Sequence, residues 1–118
     1  MKVTRFEELE IWKESIRLCI KIINTTKESR MYSLRDQMTR SAISVPSNIA
    51  EGFERDSRKE FIRFLNIAKA SCGELRTQLF ISLETGIIKK DDCKLFIETT
   101  KKISAMINKF IIYLKNSL

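Results

Sequence analysis

Apolar residues recur along this chain at alternating steps of three and four, and they do so in four separate stretches. The last stretch is the most regular. Cys93, Phe96, Thr100, Ile103, Ile107, Phe110 and Leu114 step 3, 4, 3, 4, 3, 4, the period of one face of a helix. This predicts a helix over 90–116, with Asp91 and Asp92 in its first turn, where the helix dipole favours negative charge. The third stretch opens at Ser57. Ser57 and Glu60 have the spacing of a capping box, and Phe61, Leu65, Ala68, Cys72, Leu75, Leu79 and Ser82 or Leu83 follow as one apolar line. Gly86 ends it, in the place where a left-handed residue closes a helix.

The second stretch covers 33–55, with Leu34, Met38, Ala42, Val45, Ile49 and Phe53 as its line. Ser33 and Asp36 read as an N-cap with an acid three residues on. Pro46 lies inside the pattern. A proline there removes one backbone donor and crowds the carbonyl four residues back. Because the period stays in phase across it, the expectation is a kink near Ala42 to Val45 rather than a break. The first stretch covers 7–27, with Leu9, Trp12, Ile16, Cys19 and Ile23 as its seam and Ile11, Ile16, Leu18 and Ile22 as a second line. Residues 27–30 form the first loop.

Long helices with short loops pack against their sequence neighbours in opposite directions. The predicted fold is therefore all-α, an antiparallel up-down-up-down four-helix bundle with helix two kinked at Pro46, in one domain over 1–118. Composition agrees: three glycines and one proline in 118 residues leave little material for turns. A content of 43% hydrophobic and 31% charged residues suits a folded chain with its own core. No run approaches the ~18 apolar residues of a membrane span, and the first eight residues lack the apolar centre of a signal peptide. Cys19, Cys72 and Cys93 fall on apolar faces and are expected to be reduced core residues, which points to the cytoplasm.

Several predicted helices carry more apolar positions than one seam needs. These are Ile11, Leu18 and Ile22 on the first, Ile62, Phe64, Ile67, Phe80 and Ile81 on the third, and Met106, Ile111, Ile112 and Tyr113 on the fourth. Surplus of this kind marks a subunit interface, so a homo-oligomer is expected.

The chain has no histidine, which removes the commonest general base and the usual zinc ligand. Its glycines stand alone at 52, 73 and 86, so no phosphate-cradling loop is formed. No catalytic residue, metal ligand or cofactor is expected. The formal charge of +7 argues for affinity toward polyanions. On helix two, Gln37, Arg40, Ser41, Ser44, Asn48, Glu51 and Arg55 form a polar line opposite the apolar one. Across the next turn stand Arg58, Lys59, Arg63 and Asn66. The cations Arg40, Arg55, Arg58, Lys59 and Arg63 are the candidate phosphate contacts, since arginine forks suit phosphate oxygens. The bland alternative is a solvated face with local ion pairs.

The run from Arg40 to Phe53 reads Arg-Ser-Ala-Ile-Ser-Val-Pro-Ser-Asn-Ile-Ala-Glu-Gly-Phe, and Lys59 to Ala68 reads Lys-Glu-Phe-Ile-Arg-Phe-Leu-Asn-Ile-Ala. With Phe6 to Trp12 and Leu75 to Leu79, these residues resemble the 23S rRNA intervening-sequence protein family. The Ser-x-Pro-Ser-Asn-Ile-Ala-Glu-Gly block is the specific part. The resemblance implies a small bacterial cytoplasmic protein that assembles as a homo-oligomer, a pentameric barrel of bundles. It is similar also to accessory proteins of diversity-generating retroelements, basic barrels that bind a reverse transcriptase and nucleic acid. No catalytic residues come with it, and the roles of Ser44, Asn48, Glu51 and Asn66 in the motif are open. Two functions follow as expectations: a non-enzymatic oligomer that binds RNA or DNA through a basic surface, or a scaffold whose partner is another protein.

Overall fold

In a computed structural model, residues 3–117 are described. Four helices follow a short 3₁₀ turn at Phe6–Glu8: α1 (Glu10–Thr26), α2 (Tyr32–Phe53), α3 (Arg58–Thr85) and α4 (Lys90–Asn116). No strand occurs among the described residues. The molecule measures 48 × 19 × 19 Å. At about 1.5 Å per residue, the long helices set the first of these dimensions.

Partners run in opposite order along neighbouring helices. From α2 to α3, Met38 meets Ser82, Ser44 meets Ser71, and Gly52 meets Phe61 and Phe64. From α3 to α4, Arg58 meets Ser117, Lys69 meets Asn108, and Leu79 meets Cys93. The α2–α3 and α3–α4 seams are the most extensive, and the α1–α4 seam is thin.

The core follows the apolar lines of α2, α3 and α4. Met38, Ala42, Val45, Ile49, Leu65, Ala68, Cys72, Leu75, Leu79, Cys93, Thr100, Ile103 and Ile107 are all buried. Helix α1 corrects the sequence reading. Its buried face is Ile11, Ser15, Leu18, Cys19, Ile22 and Thr26, while Trp12, Ile16 and Ile23 are only half-buried at its flank. Ser15 and Thr26 can enter the core because each hydroxyl donates to a carbonyl of its own helix, Trp12 at 2.9 Å and Ile22 at 2.8 Å. A search for apolar spacing alone passes over them.

Two helix starts also differ from expectation. Residues 6–8 form the 3₁₀ turn, held by Glu8 Oε1, which accepts from the Thr4 and Arg5 backbone amides at 3.2 and 3.0 Å. Helix α2 starts one residue before Ser33, with Met31 at its N-cap. Ser29 Oγ accepts from the Met31 amide at 3.1 Å, and Asp36 pairs with Arg35 rather than serving a cap. Ser57 does cap α3, its Oγ accepting from the Glu60 amide at 3.1 Å. The Glu60 carboxylate turns away to Arg63, so only half of the capping box forms. Gly86 takes φ of 74°, as a left-handed closing residue must. Helix α2 runs unbroken through Pro46, which is buried.

Of the apolar surplus, Ile11, Leu18, Ile22, Phe64 and Ile111 belong to the core, and Ile62 and Met106 are half-buried against it. Ile67, Phe80, Ile81, Ile112 and Tyr113 stay exposed, joined by Ile20, Ile43 and Leu95. One end of the bundle is aromatic. Trp12, Phe6, Phe53, Phe61, Phe110 and Tyr113 form a chain of rings, each 5.5 to 6.5 Å from the next.

Candidate nucleic-acid interface

The α2–α3 corner sits on this aromatic end, and there the two helices approach very closely. A Cβ added at Gly52 would lie 2.7 Å from the Cβ of Phe64. Over the same corner Arg55 and Arg63 both lie on Phe64, their guanidinium carbons 4.8 and 4.5 Å from the ring centre. Each also has a carboxylate partner. Arg55 Nη2 is 3.2 Å from Glu51, and Arg63 forks onto both oxygens of Glu60 at 3.0 and 3.2 Å. Hydrogen bonding from Arg63, more than its charge, holds the Glu60 carboxyl below its ordinary range.

The corner is therefore balanced in charge. Between 51 and 63, Arg55, Arg58, Lys59 and Arg63 face Glu51, Glu54, Asp56 and Glu60. Arg58 donates to the backbone carbonyl of Ser117 and so ties the start of α3 to the end of α4. Arg40, Arg58 and Lys59 have no ion pair among the described residues, and Arg40 stands apart from the corner, two turns back along α2 from Pro46 and exposed. The five cations thus do not form one site.

The polar line of α2 is not a solvent face at its middle. Ser41 is buried, Ser44 and Asn48 are half-buried, and the two serines stand in the α2–α3 seam. Ser41 donates to Glu74 Oε1 at 3.1 Å, the hydroxyls of Ser44 and Ser71 lie 2.8 Å apart, and Asn48 Nδ2 donates to the Ser44 carbonyl at 2.8 Å. A position one step from the apolar line lies about 100° round the helix, which is its flank and not its back. Small hydroxyl residues there let the helices close up while their polar atoms stay satisfied. Asn66 is exposed and donates to the Ile62 carbonyl of its own helix at 3.1 Å. Gln78 is 94% buried in α3 and its Oε1 has no partner.

Positive charge collects elsewhere. Between Lys89 and Lys115 lie seven lysines and three acids, whereas 64–88 is balanced. Lys101 pairs with Glu98 at 3.1 Å, and Lys102 reaches across to Glu14 on α1. The remaining α4 lysines have no ion pair among the described residues. At the α3–α4 seam, Arg76 holds Thr100 Oγ1 at 2.9 Å and Ser104 Oγ at 2.8 Å, and Lys69 donates to Asn108 Oδ1 at 3.2 Å. Sequence reading passed over Arg76 and Lys69 because neither belongs to a run of charge.

Burial pushes the thiols of Cys19, Cys72 and Cys93 up from their ordinary values, and all three are free. No group of three or more His, Cys, Asp or Glu side chains able to hold a metal occurs among the described residues, nor a helix there long and apolar enough to cross a membrane.

These features define an all-helical bundle with polar seams and a lysine-rich last helix. The model of the 23S rRNA-intervening sequence protein family matches residues 7–109; the chain belongs to that family. It is also similar to a solved structure from Bacteroides thetaiotaomicron, a protein of unknown function from the S23 ribosomal protein family. The two share 25% identity with a TM-score of 0.81, over 86% of this chain and 97% of the other. No curated protein matches.

Proposed function

We propose that the protein is a non-enzymatic, homo-oligomeric bundle of the cytoplasm that binds RNA or DNA through backbone phosphates. The uneven charge carries this reading: the excess lies on α4 and its neighbours, largely without ion pairs, where a polyanion gains most. Arg58 and Lys59, at the start of α3 that Arg58 ties to the end of α4, add to that surface, and Arg40 offers a separate cation on α2. Arg55 and Arg63 contribute less, because a phosphate must compete with Glu51 and Glu60 for them. The family's association with rRNA-intervening sequences is in keeping with such a ligand.

Binding of a labelled single-stranded RNA, followed by anisotropy across a salt series, tests the reading. Log K should fall linearly with log salt, with a slope of about −0.7 per phosphate contacted. Replacing Lys94, Lys109 and Lys115 by glutamine should reduce that slope more than replacing Arg55, Arg58 and Arg63 by alanine. Absence of binding at low ionic strength would sink the proposal.

Exposed apolar surface supports the oligomer. Phe6, Trp12, Ile16, Ile43, Pro46 and Ala50 line a hollow of about 320 Å³ between α1 and α2. A second of about 330 Å³ lies where Leu9 and Ile11 face Met106, Phe110 and Tyr113 across the thin α1–α4 seam. Surfaces of this kind are covered in an assembly. A pentamer is the arrangement suggested by the family resemblance, and sedimentation equilibrium gives the subunit number directly. The same hollows favour the second reading, a scaffold for a different protein. A sharp monomer in sedimentation, with no RNA binding, would leave that reading in place of the first.

A further inference from the structure

Each of the three glycines occupies a helix or its end, and two of them have a plain reason to be there. Gly52 has no room for a Cβ, and Gly86 has a left-handed backbone. Gly73 has neither constraint. It lies inside α3 with ordinary helical geometry, and a Cβ built there meets nothing within 4 Å. A glycine inside a helix is destabilising relative to alanine. Its remaining use is to let something approach the backbone closely.

The surroundings of Gly73 indicate what would approach. Lys69 lies four residues before it and Arg76 three after, so both share its face of the helix. Arg76 is half-buried. It has five N–H donors; the Nε and Nη2 groups bond to Thr100 and Ser104. Its Nη1 group has no hydrogen-bond partner among the described residues. Arg17, Arg35, Arg55 and Arg63 each have a carboxylate within 3.2 Å, and Arg76 has none among the described residues. The acids nearest in sequence to Arg76 and to Thr100 are engaged elsewhere: Glu74 accepts from Ser41 in the α2–α3 seam, and Glu98 holds Lys101. A partly desolvated cation held by neutral groups is costly without an anion. Lys69, held by Asn108, repeats the pattern.

We infer that the α3–α4 seam carries a phosphate-binding notch, floored by Gly73 and walled by Arg76, Lys69 and Ser104, which takes a backbone phosphate of nucleic acid. This assignment rests on the proposed nucleic-acid reading and gives it a site. The floor of the notch is about 22 Å along α3 from Arg58, so a strand lying in the seam passes from one to the other.

The decisive variant is G73E. The open space admits the side chain, helix propensity rises, and the carboxylate falls beside Arg76 and Lys69. G73Q has the same size without the charge, and G73A adds only one methyl group to the floor. All three should melt at or above the wild-type temperature. Binding of a labelled single-stranded RNA at low ionic strength is expected to fall about tenfold in G73E, with a salt slope smaller by about 1 to 2, while G73A, which puts one methyl group on the floor and no charge, falls by less and keeps the wild-type slope. Wild-type RNA affinity in G73E would overturn the notch and leave the broader function standing. If the wild type binds no RNA, the nucleic-acid reading falls. A titration with inorganic phosphate, read at the Gly73 amide and Arg76 Nε–H by NMR, then decides the rest. Saturable shifts lost in G73E retain the site with free phosphate as its ligand, and the absence of shifts overturns it.

Discussion

Gly52→Ala adds one methyl group where α2 meets α3. The new Cβ would lie 2.7 Å from Phe64 Cβ, 3.0 Å from Phe61 Cδ1 and 3.2 Å from the Phe61 carbonyl oxygen. Carbon atoms prefer about 3.5 to 4.0 Å, so the first contact is short by about 1 Å. Rotating a side chain relieves only the Cδ1 contact. The Phe64 Cβ and the Phe61 carbonyl are fixed to the backbone, so the two helices must separate at the corner. Overpacking of this kind costs about 1–3 kcal/mol. Against it stands the gain of alanine over glycine, at most about 1 kcal/mol and smaller in the last turn of a helix. The net loss should be about 1–2 kcal/mol, or roughly 5–10 °C in Tm for a chain of this size. Gly73→Ala is the control: the same chemical change in open space should stabilise by up to about 1 kcal/mol. Urea unfolding followed by circular dichroism measures both, with m expected to stay constant. A G52A variant as stable as wild type would refute the claim that the corner is closed by backbone contact.

Ser57→Ala removes the oxygen that accepts from the Glu60 amide and should cost about 1 kcal/mol, read as a lower urea midpoint; an unchanged midpoint would show that the cap is not used. Cys19, Cys72 and Cys93 should resist a thiol reagent in the native state and react together on unfolding, because burial raises their pKa and blocks access; rapid labelling of folded protein would contradict their placement. Glu14 has its carboxyl held below the ordinary range, first by hydrogen bonding from Lys102 and then from Arg17. Its folded pKa lies below the unfolded one, so its contribution is complete above the unfolded value and disappears as pH falls through the folded value. Stability should therefore drop below about pH 4, and E14Q should flatten that acid limb by about 0.5 kcal/mol; an identical pH profile would remove the α1–α4 link from the account.

Helix α4 was legible to the residue, since every member of its 3–4 line lies in or against the core. Helix α3 was equally plain, including the Ser57 cap and Gly86. In α1 the pattern misled. Trp12, Ile16 and Ile23 satisfy the period as well as Ile11, Leu18 and Ile22 do, and only the neighbours across the seam choose between them; Leu9 and Cys19 are buried with the second set. Ser15 and Thr26 entered the core by bonding to their own backbone, an option that apolar spacing ignores. The candidate interface was harder. The Arg55 to Arg63 cluster stands out as a run of cations, yet an i to i+4 or i to i+3 acid is available to Arg55 and to Arg63, and both are used. Arg76 and Lys69 are isolated in the sequence. They gain their meaning from Ser104 and Asn108, about thirty to forty residues away.

Four amphipathic helices, their lengths within a few residues, and a net charge that favours polyanions follow from the amino-acid order alone. These are local properties, set by a 3.6-residue period, by caps and by composition. Only the packing of the helices shows which apolar residues of α1 turn inward, that the serines of α2 close a helix seam, and which cations lack carboxylate partners. Each of these depends on what a neighbouring helix places opposite a side chain, and a single helix's pattern carries no record of that.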